Sequence, residues 1–213
     1  ASGLTVAFLI AGLSALRRLM GDSSASVLAT LRFGAAMGAV LIPIQIVAGD
    51  MHGLNTLEYQ PQKVAAMEGN WETQGNVPLL LFAIPDEEAR ENRAEVAIPG
   101  GASLILTHKL DGEVPGLNDF VAEDGTAMHP PVAPVFYSFR IMVGAGMAML
   151  ALSWAAVALM GLRRDDYGRR WQASVLGRPM LIAFAAMAFS GWIAVLAGWY
   201  TTEIGRQPWL VQG

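Results

Sequence analysis

Four apolar stretches dominate the chain and constrain it more than any other feature: residues 1–16, about 24–49, about 134–162 and about 175–203. Each of the last three is long enough to cross roughly 30 Å of hydrocarbon at about 1.5 Å per residue. The first, ASGLTVAFLIAGLSAL, is apolar from Ala1 and ends in the basic pair Arg17-Arg18, with no initiator Met. A signal peptide carries its charge first, so this stretch reads as the latter part of a membrane helix. The chain accordingly reads as an internal segment of a longer protein. The expected fold is all-α, a multi-pass transmembrane bundle with four spans and one large outer loop. Small residues such as Gly144, Ala145 and Gly146 allow close helix approach, and Pro43 and Pro179 are tolerable where neighbouring helices re-satisfy freed carbonyls.

Charge supports this reading and orients it. Only 15% of residues are charged, against about 25% in an ordinary soluble domain. Residues 50–133 hold 14 of the 18 acids and 4 of the 14 bases, a net −10, while the remainder has 10 bases against 4 acids, a net +6. Arg17 and Arg18 lie in the first connection, and Arg163, Arg164, Arg169 and Arg170 in the last. With four spans these two connections share a side, which the positive-inside rule makes cytoplasmic. The organisation expected is therefore 1–49, two spans; 50–133, an extracytoplasmic loop; and 134–213, two further spans. No basic stripe falls in a soluble region, which argues against a nucleic-acid partner. The absence of cysteine excludes disulfides, iron–sulfur clusters and thiolate zinc sites.

The outer segment is broken by seven prolines, Pro61 to Pro131, into short pieces. QKVAAMEGNWE (62–72) predicts a short helix, and ASLILTH (102–108) suits either a strand or a short buried helix. Glu58, Glu72 and Asp86-Glu87-Glu88 read as solvated surface. His52, His108 and His129 are dispersed, without an i, i+4 pair.

A few residues could carry chemistry. Arg140 and Met142 lie near the outer end of the third apolar stretch, and Glu203 and Arg206 close the fourth. Charges inside apolar spans are costly and mark function, but Arg140 and Arg206 could also snorkel to headgroups, with Glu203 neutralising one of them. Met142 could pack, as most methionines do, or ligate haem iron. Lys63 and Glu68 flank VAAM. They could bind and deprotonate a hydroquinone or line a solvated helix face. Trp192, Trp199, Tyr200 and Trp209 suit an outer aromatic belt, and Trp199 could equally stack on a planar cofactor.

Three strings narrow these alternatives: QPQKVAAMEGNWETQ (60–74), SFRIMVGAG (138–146) and GWYTTEIGRQPW (198–209). Together with GDMHG (49–53) and PLLLFAIPDEEARENRAEVAIPG (78–100), they resemble subunit I of the cytochrome bd-type quinol oxidases along essentially the whole chain. The loop is of the short type, most similar to the cyanide-insensitive branch.

The resemblance implies a helical protein of the bacterial cytoplasmic membrane that oxidises ubiquinol or menaquinol at the outer loop and reduces O₂ to water. Membrane potential would arise by separating the proton-releasing and proton-consuming sides, without pumping. It implies low-spin and high-spin haem b, with haem d in many members, a partner subunit II and a small single-helix subunit. By match of motif, Met142 is an axial ligand of the low-spin haem b and Glu203 of the high-spin haem b. Lys63 and Glu68 form the quinol-site pair, while Arg140, Trp199 and Arg206 set haem potential, packing and propionate charge. Two axial histidines of the family are expected upstream of Ala1. The rival readings are a membrane haem protein that relays electrons from quinol without reducing O₂, and a non-enzymatic scaffold or receptor.

Overall fold

The computed structural model describes residues 2–161 and 177–208 of the 213. The basic connection with Arg163, Arg164, Arg169 and Arg170 lies outside the described residues, as does Trp209. The elements in chain order are α1 (Ser2–Leu19), α2 (Ala25–Tyr59), α3 (Pro61–Glu68), β1 (Leu79–Asp86), β2 (Glu91–Ile98), α4 (Gly101–Thr107), a 3₁₀ turn (Leu117–Phe120), α5 (Val132–Gly161), α6 (Gly177–Ala186) and α7 (Ser190–Ile204). Three helices, α1, α2 and α5, are long and apolar enough to cross a membrane, and α6 with α7 makes a fourth if the bent pair is one span. The expected helical bundle is the observed class, with one small sheet added.

The described residues fall into two compact units. The first takes the chain up to Val47 and from Met142 to Val195. Its core is built from Ala7, Phe8, Ala11, Leu31, Ala35, Ile42, Met149, Met180 and Phe184, all buried. Close approach here depends on glycine. A Cβ on Gly12 would lie 2.5 Å from the Ala188 Cβ, and one on Gly191 would lie 2.6 Å from the Thr5 Cα. Both contacts seat α1 against the break between α6 and α7.

That break is a difference from the expected continuous span over 175–203. The pair bends by 42°. Tight bonds, Ala188 N to Ala185 O at 3.4 Å and Ser190 N to Met187 O at 3.0 Å, replace the regular ladder. A Ser-Gly pair is a common site of kinking, and here Ser190 Oγ also donates to Met187 O at 2.7 Å. Pro179 falls in the first turn of α6, where a missing N–H costs nothing.

The second unit runs from Ala48 to Ile141 and resumes at Leu196. It departs from the expected loop in three ways. First, residues 50–59 are not loop: α2 runs 35 residues to Tyr59. Nothing before Gln60 stops it, and Pro61 then disfavours helical backbone in the residue preceding it. Second, the short helix ends at Glu68 rather than residue 72. Gly69 adopts the left-handed conformation (φ 65°) and caps it, while Pro61 starts it with no N–H to lose.

Third, β1 and β2 form an antiparallel hairpin, with Leu79 opposite Ile98 and Asp86 opposite Glu91. The ENRAEVAI string of β2 is mostly poor in strand formers, and no Asn-Gly or Asp-Gly marks the turn. Asp86 closes that turn instead, its Oδ1 accepting from Glu88 N at 3.1 Å and Ala89 N at 3.0 Å. These two hydrogen bonds hold its carboxyl below the usual carboxylate range, helped by nearby Arg93.

The 102–108 ambiguity resolves as helix α4. Its start is tied down by Val77, whose N–H donates to Ser103 Oγ at 2.8 Å and whose carbonyl accepts from Ala102 N at 3.1 Å. Glu72, Glu87 and Glu88 are exposed, as expected; Glu87 Oε1 in addition accepts from Val132 N at 2.9 Å, satisfying one of the orphan donors at the start of α5. Glu72 likewise accepts from Asn118 Nδ2 at 2.6 Å.

Candidate functional site

The site is organised by α3, a helix of eight residues. Lys63 and Glu68 are five positions apart, about 140° around a helix. They therefore point to different neighbours, although both are almost fully buried, at 7% and 6% exposed. This overturns the solvated-face alternative. A Lys and a Glu are rarely buried this deeply without a partner, and each has one.

Glu68 is met by α5. Its Oε2 accepts from Arg140 Nη2 at 2.8 Å, and both side chains are shielded. Arg140 also donates through Nε to the Leu80 carbonyl of β1, and its guanidinium lies 4.8 Å from the Phe136 ring centroid. The snorkelling alternative for Arg140 is thus replaced by a buried ion pair within the second unit.

Lys63 is met by the end of α7. Nζ lies 3.4 Å from the Thr202 carbonyl, a long contact and, among the described residues, the one hydrogen bond for its three donors. The stem passes over Gly205, where a Cβ would lie 2.9 Å from the Lys63 Cε. Burial pushes the Lys63 ammonium below its usual range, the nearby Arg206 adds to this, and Glu203 opposes it. A lysine so placed gives up its proton more readily than a solvated one.

Glu203 and Arg206 lie 3.9 Å apart, each about half exposed. That separation exceeds a hydrogen bond, and among the described residues the Glu203 carboxylate accepts no hydrogen bond. Trp199 and Tyr200 are exposed and lie beside one another, ring centroids 5.8 Å apart. Met142, in the first unit, is partly buried on α5. One turn further along that helix face, a Cβ on Gly146 would meet nothing within 4 Å, so there is room beside the thioether.

The histidines stay apart. His129 sets its ring edge-on to Trp71, centroids 6.5 Å apart, and exposed His108 lies 3.8 Å from Asp50. Among the described residues no group of three or more His, Asp or Glu converges as a metal site.

Sequence reasoning missed the supports around Glu68. Asn92 of β2 accepts from Trp71 Nε1 at 3.0 Å and donates to the Gly69 carbonyl at 2.8 Å. Tyr137 Oη donates to the Ala83 carbonyl at 2.9 Å. Only the GNW string after the helix hinted at them, since a Gly cap followed by a large aromatic suggests an anchored end.

The fold and this arrangement define a multi-pass helical membrane protein whose long segment between α2 and α5 buries a lysine and a glutamate against the ends of its apolar helices. More particularly, residues 1–213 match the family model described as cytochrome bd terminal oxidase subunit I, and the chain belongs to that family.

It is 33% identical over 216 residues to cytochrome bd ubiquinol oxidase subunit 1 of Bacillus subtilis, covering 98% of this chain and 44% of that relative. It is 27% identical over 271 residues to cytochrome bd-II ubiquinol oxidase subunit 1 of Escherichia coli, covering 98% and 51%. The solved bd oxidase from Geobacillus thermodenitrificans superposes with a TM-score of 0.77 at 30% identity, over 99% of this chain and 45% of that one. The chain thus spans about half the length of the curated relatives it matches.

Proposed function

We propose that this chain is the quinol-oxidising and electron-accepting part of subunit I of a terminal respiratory oxidase, as its relatives' names indicate for them. Quinol, either ubiquinol or menaquinol, is oxidised at the outer segment, residues 50–133, on the extracytoplasmic face of the bacterial cytoplasmic membrane. O₂ is reduced to water elsewhere in the complete protein, which pairs with a subunit II and a small single-helix subunit. The observation that carries this reading is the burial of Lys63 and Glu68 on α3, against the ends of α7 and α5.

Oxidation of a quinol releases two protons and two electrons. The Glu68 carboxylate accepts a hydrogen bond from one hydroxyl and then its proton. The Lys63 ammonium, eased toward neutrality by burial, gives its own proton to the outer face, and the resulting amine accepts the hydrogen bond and then the proton of the second hydroxyl. Arg140 holds the carboxylate in one orientation throughout.

The donor set present fits b-type haem: the Met142 thioether for the low-spin site and the Glu203 carboxylate, 3.9 Å from Arg206, for the high-spin site. Arg206 would neutralise a propionate and Trp199 would pack on a flat face. When bound, haem iron supplies one-electron acceptance, and a haem d in the complete protein would add an oxygen-reactive centre. Because protons leave on the outer face and are consumed from the inner one, turnover generates proton motive force without a pump.

In the complete oxidase, Lys63→Ala or Glu68→Ala should depress quinol oxidation, by about 10²–10⁴-fold where the residue is a general base, with the haem spectrum intact. Unchanged quinol kinetics in both variants would refute the assignment.

A further inference from the structure

The end of α3 is held by a side chain from the hairpin, and both halves of that side chain are in use. Asn92 Oδ1 accepts from the Trp71 indole at 3.0 Å, and its Nδ2 donates to the Gly69 carbonyl at 2.8 Å. Trp71 is itself buried, packed with Ala65, Ala66, Leu117, Val132 and Val135. Gly69 immediately follows Glu68 and closes the helix in the left-handed conformation, its N–H returning to Ala65 and Ala66. Its carbonyl therefore faces away from the helix, and Asn92 is the side chain that meets it.

The other strand of the same hairpin grips the partner of Glu68, since the Leu80 carbonyl accepts from Arg140 Nε. There is little slack between the two grips: a Cβ on Gly69 would lie 3.2 Å from Phe136 Cδ2 and 3.4 Å from Leu80 Cδ1. One two-stranded element thus fixes both the carboxylate's helix and the cation it pairs with.

We propose that Asn92 is a positioning residue for quinol oxidation, holding Glu68 in place through Gly69 and Trp71. This rests on the quinol-site reading of Glu68. Displacement of a reacting group by about 1 Å can cost on the order of 10²-fold. Releasing one of the two grips should therefore lower kcat/KM for quinol by roughly ten- to a hundredfold.

The test uses the complete oxidase in membranes and a soluble short-chain ubiquinol. Asn92→Ala removes both hydrogen bonds. Asn92→Asp has the same shape and still accepts from Trp71 but cannot donate to the Gly69 carbonyl, so it reports on that bond even where the alanine variant fails to assemble. Both should raise KM and lower kcat/KM for quinol. Oxygen uptake driven by ascorbate with a small redox mediator, which bypasses α3, should be unchanged. On a Glu68→Ala background, Asn92→Ala should add less than about twofold, as expected of residues acting as a unit.

Wild-type quinol kinetics in both Asn92 variants, with Glu68→Ala impaired, would overturn the positioning role alone. So would a full multiplicative loss on the Glu68→Ala background, or an equal fall in mediator-driven uptake. Normal kinetics in Glu68→Ala would instead bring down the quinol-site reading, and this inference with it.

Discussion

Removing Arg140 should loosen α3 before it does anything else. Its side chain is 14% exposed and that of Glu68 is 7%, so water replaces little of the lost interaction. Arg140→Leu leaves a buried carboxylate without its cation and the Leu80 carbonyl without its donor. Breaking a buried pair from one side costs about 3–5 kcal/mol, mainly from the uncompensated charge. At about 1.4 kcal/mol per decade this is roughly two to three and a half decades in the local opening equilibrium.

Hydrogen exchange at the amides of residues 65–70, measured in the purified complete oxidase, reads that equilibrium directly. Arg140→Leu should lower protection there by at least about a hundredfold, and Glu68→Leu should do so by a comparable amount. The double variant should recover most of the loss, because an apolar pair of similar volume is nearly neutral where an ion pair was buried. Either single variant changing protection by less than about threefold, or a double variant as exposed as the singles, would refute the argument.

Three further outcomes follow from other parts of the molecule. Glu203→Ala should alter or remove the high-spin haem b signal of the complete oxidase and spare the low-spin one; an intact high-spin spectrum would leave Glu203 as no more than the neighbour of Arg206. A cysteine at exposed Asp111 should react with a membrane-impermeant maleimide in intact cells, whereas labelling only after lysis would reverse the orientation. Burial holds the Lys63 pKa below its usual 10.5, so the buried ammonium penalises folding fully below the folded-state pKa, and the penalty fades as the pH rises toward 10.5. Lys63→Met should therefore raise the thermal midpoint at pH 7, and the gain should shrink as the pH approaches 10.5; a gain independent of pH would contradict this.

Much of the architecture was legible because a bilayer demands a local property. Continuous apolar length can be read residue by residue, so α1 and α5 appear within a few residues of where the apolar stretches placed them, and α2 starts where expected but runs ten residues past its apolar stretch. Motif strings singled out Lys63, Glu68, Arg140, Met142, Trp199, Glu203 and Arg206 as candidate site residues in the same local way. Helix ends were also local wherever one residue type decides them, as with Pro61 starting α3.

What only tertiary structure decided depends on partners distant in sequence. The choice of Arg140 for Glu68 is made across 72 residues. The alternative readings of Lys63 and Glu68, solvated or engaged, differ only in burial, which no spacing reports. The hairpin escaped notice because polar β2 gains its strand conformation from pairing with β1, not from its own propensities. The bend between α6 and α7 lies against Thr5 and Gly12 of α1, contacts that no local pattern reveals. An apolar run declares that it leaves water; which polar group meets which inside is settled by packing, because a buried charge or amide gains its hydrogen bond only when the complete fold delivers the other half.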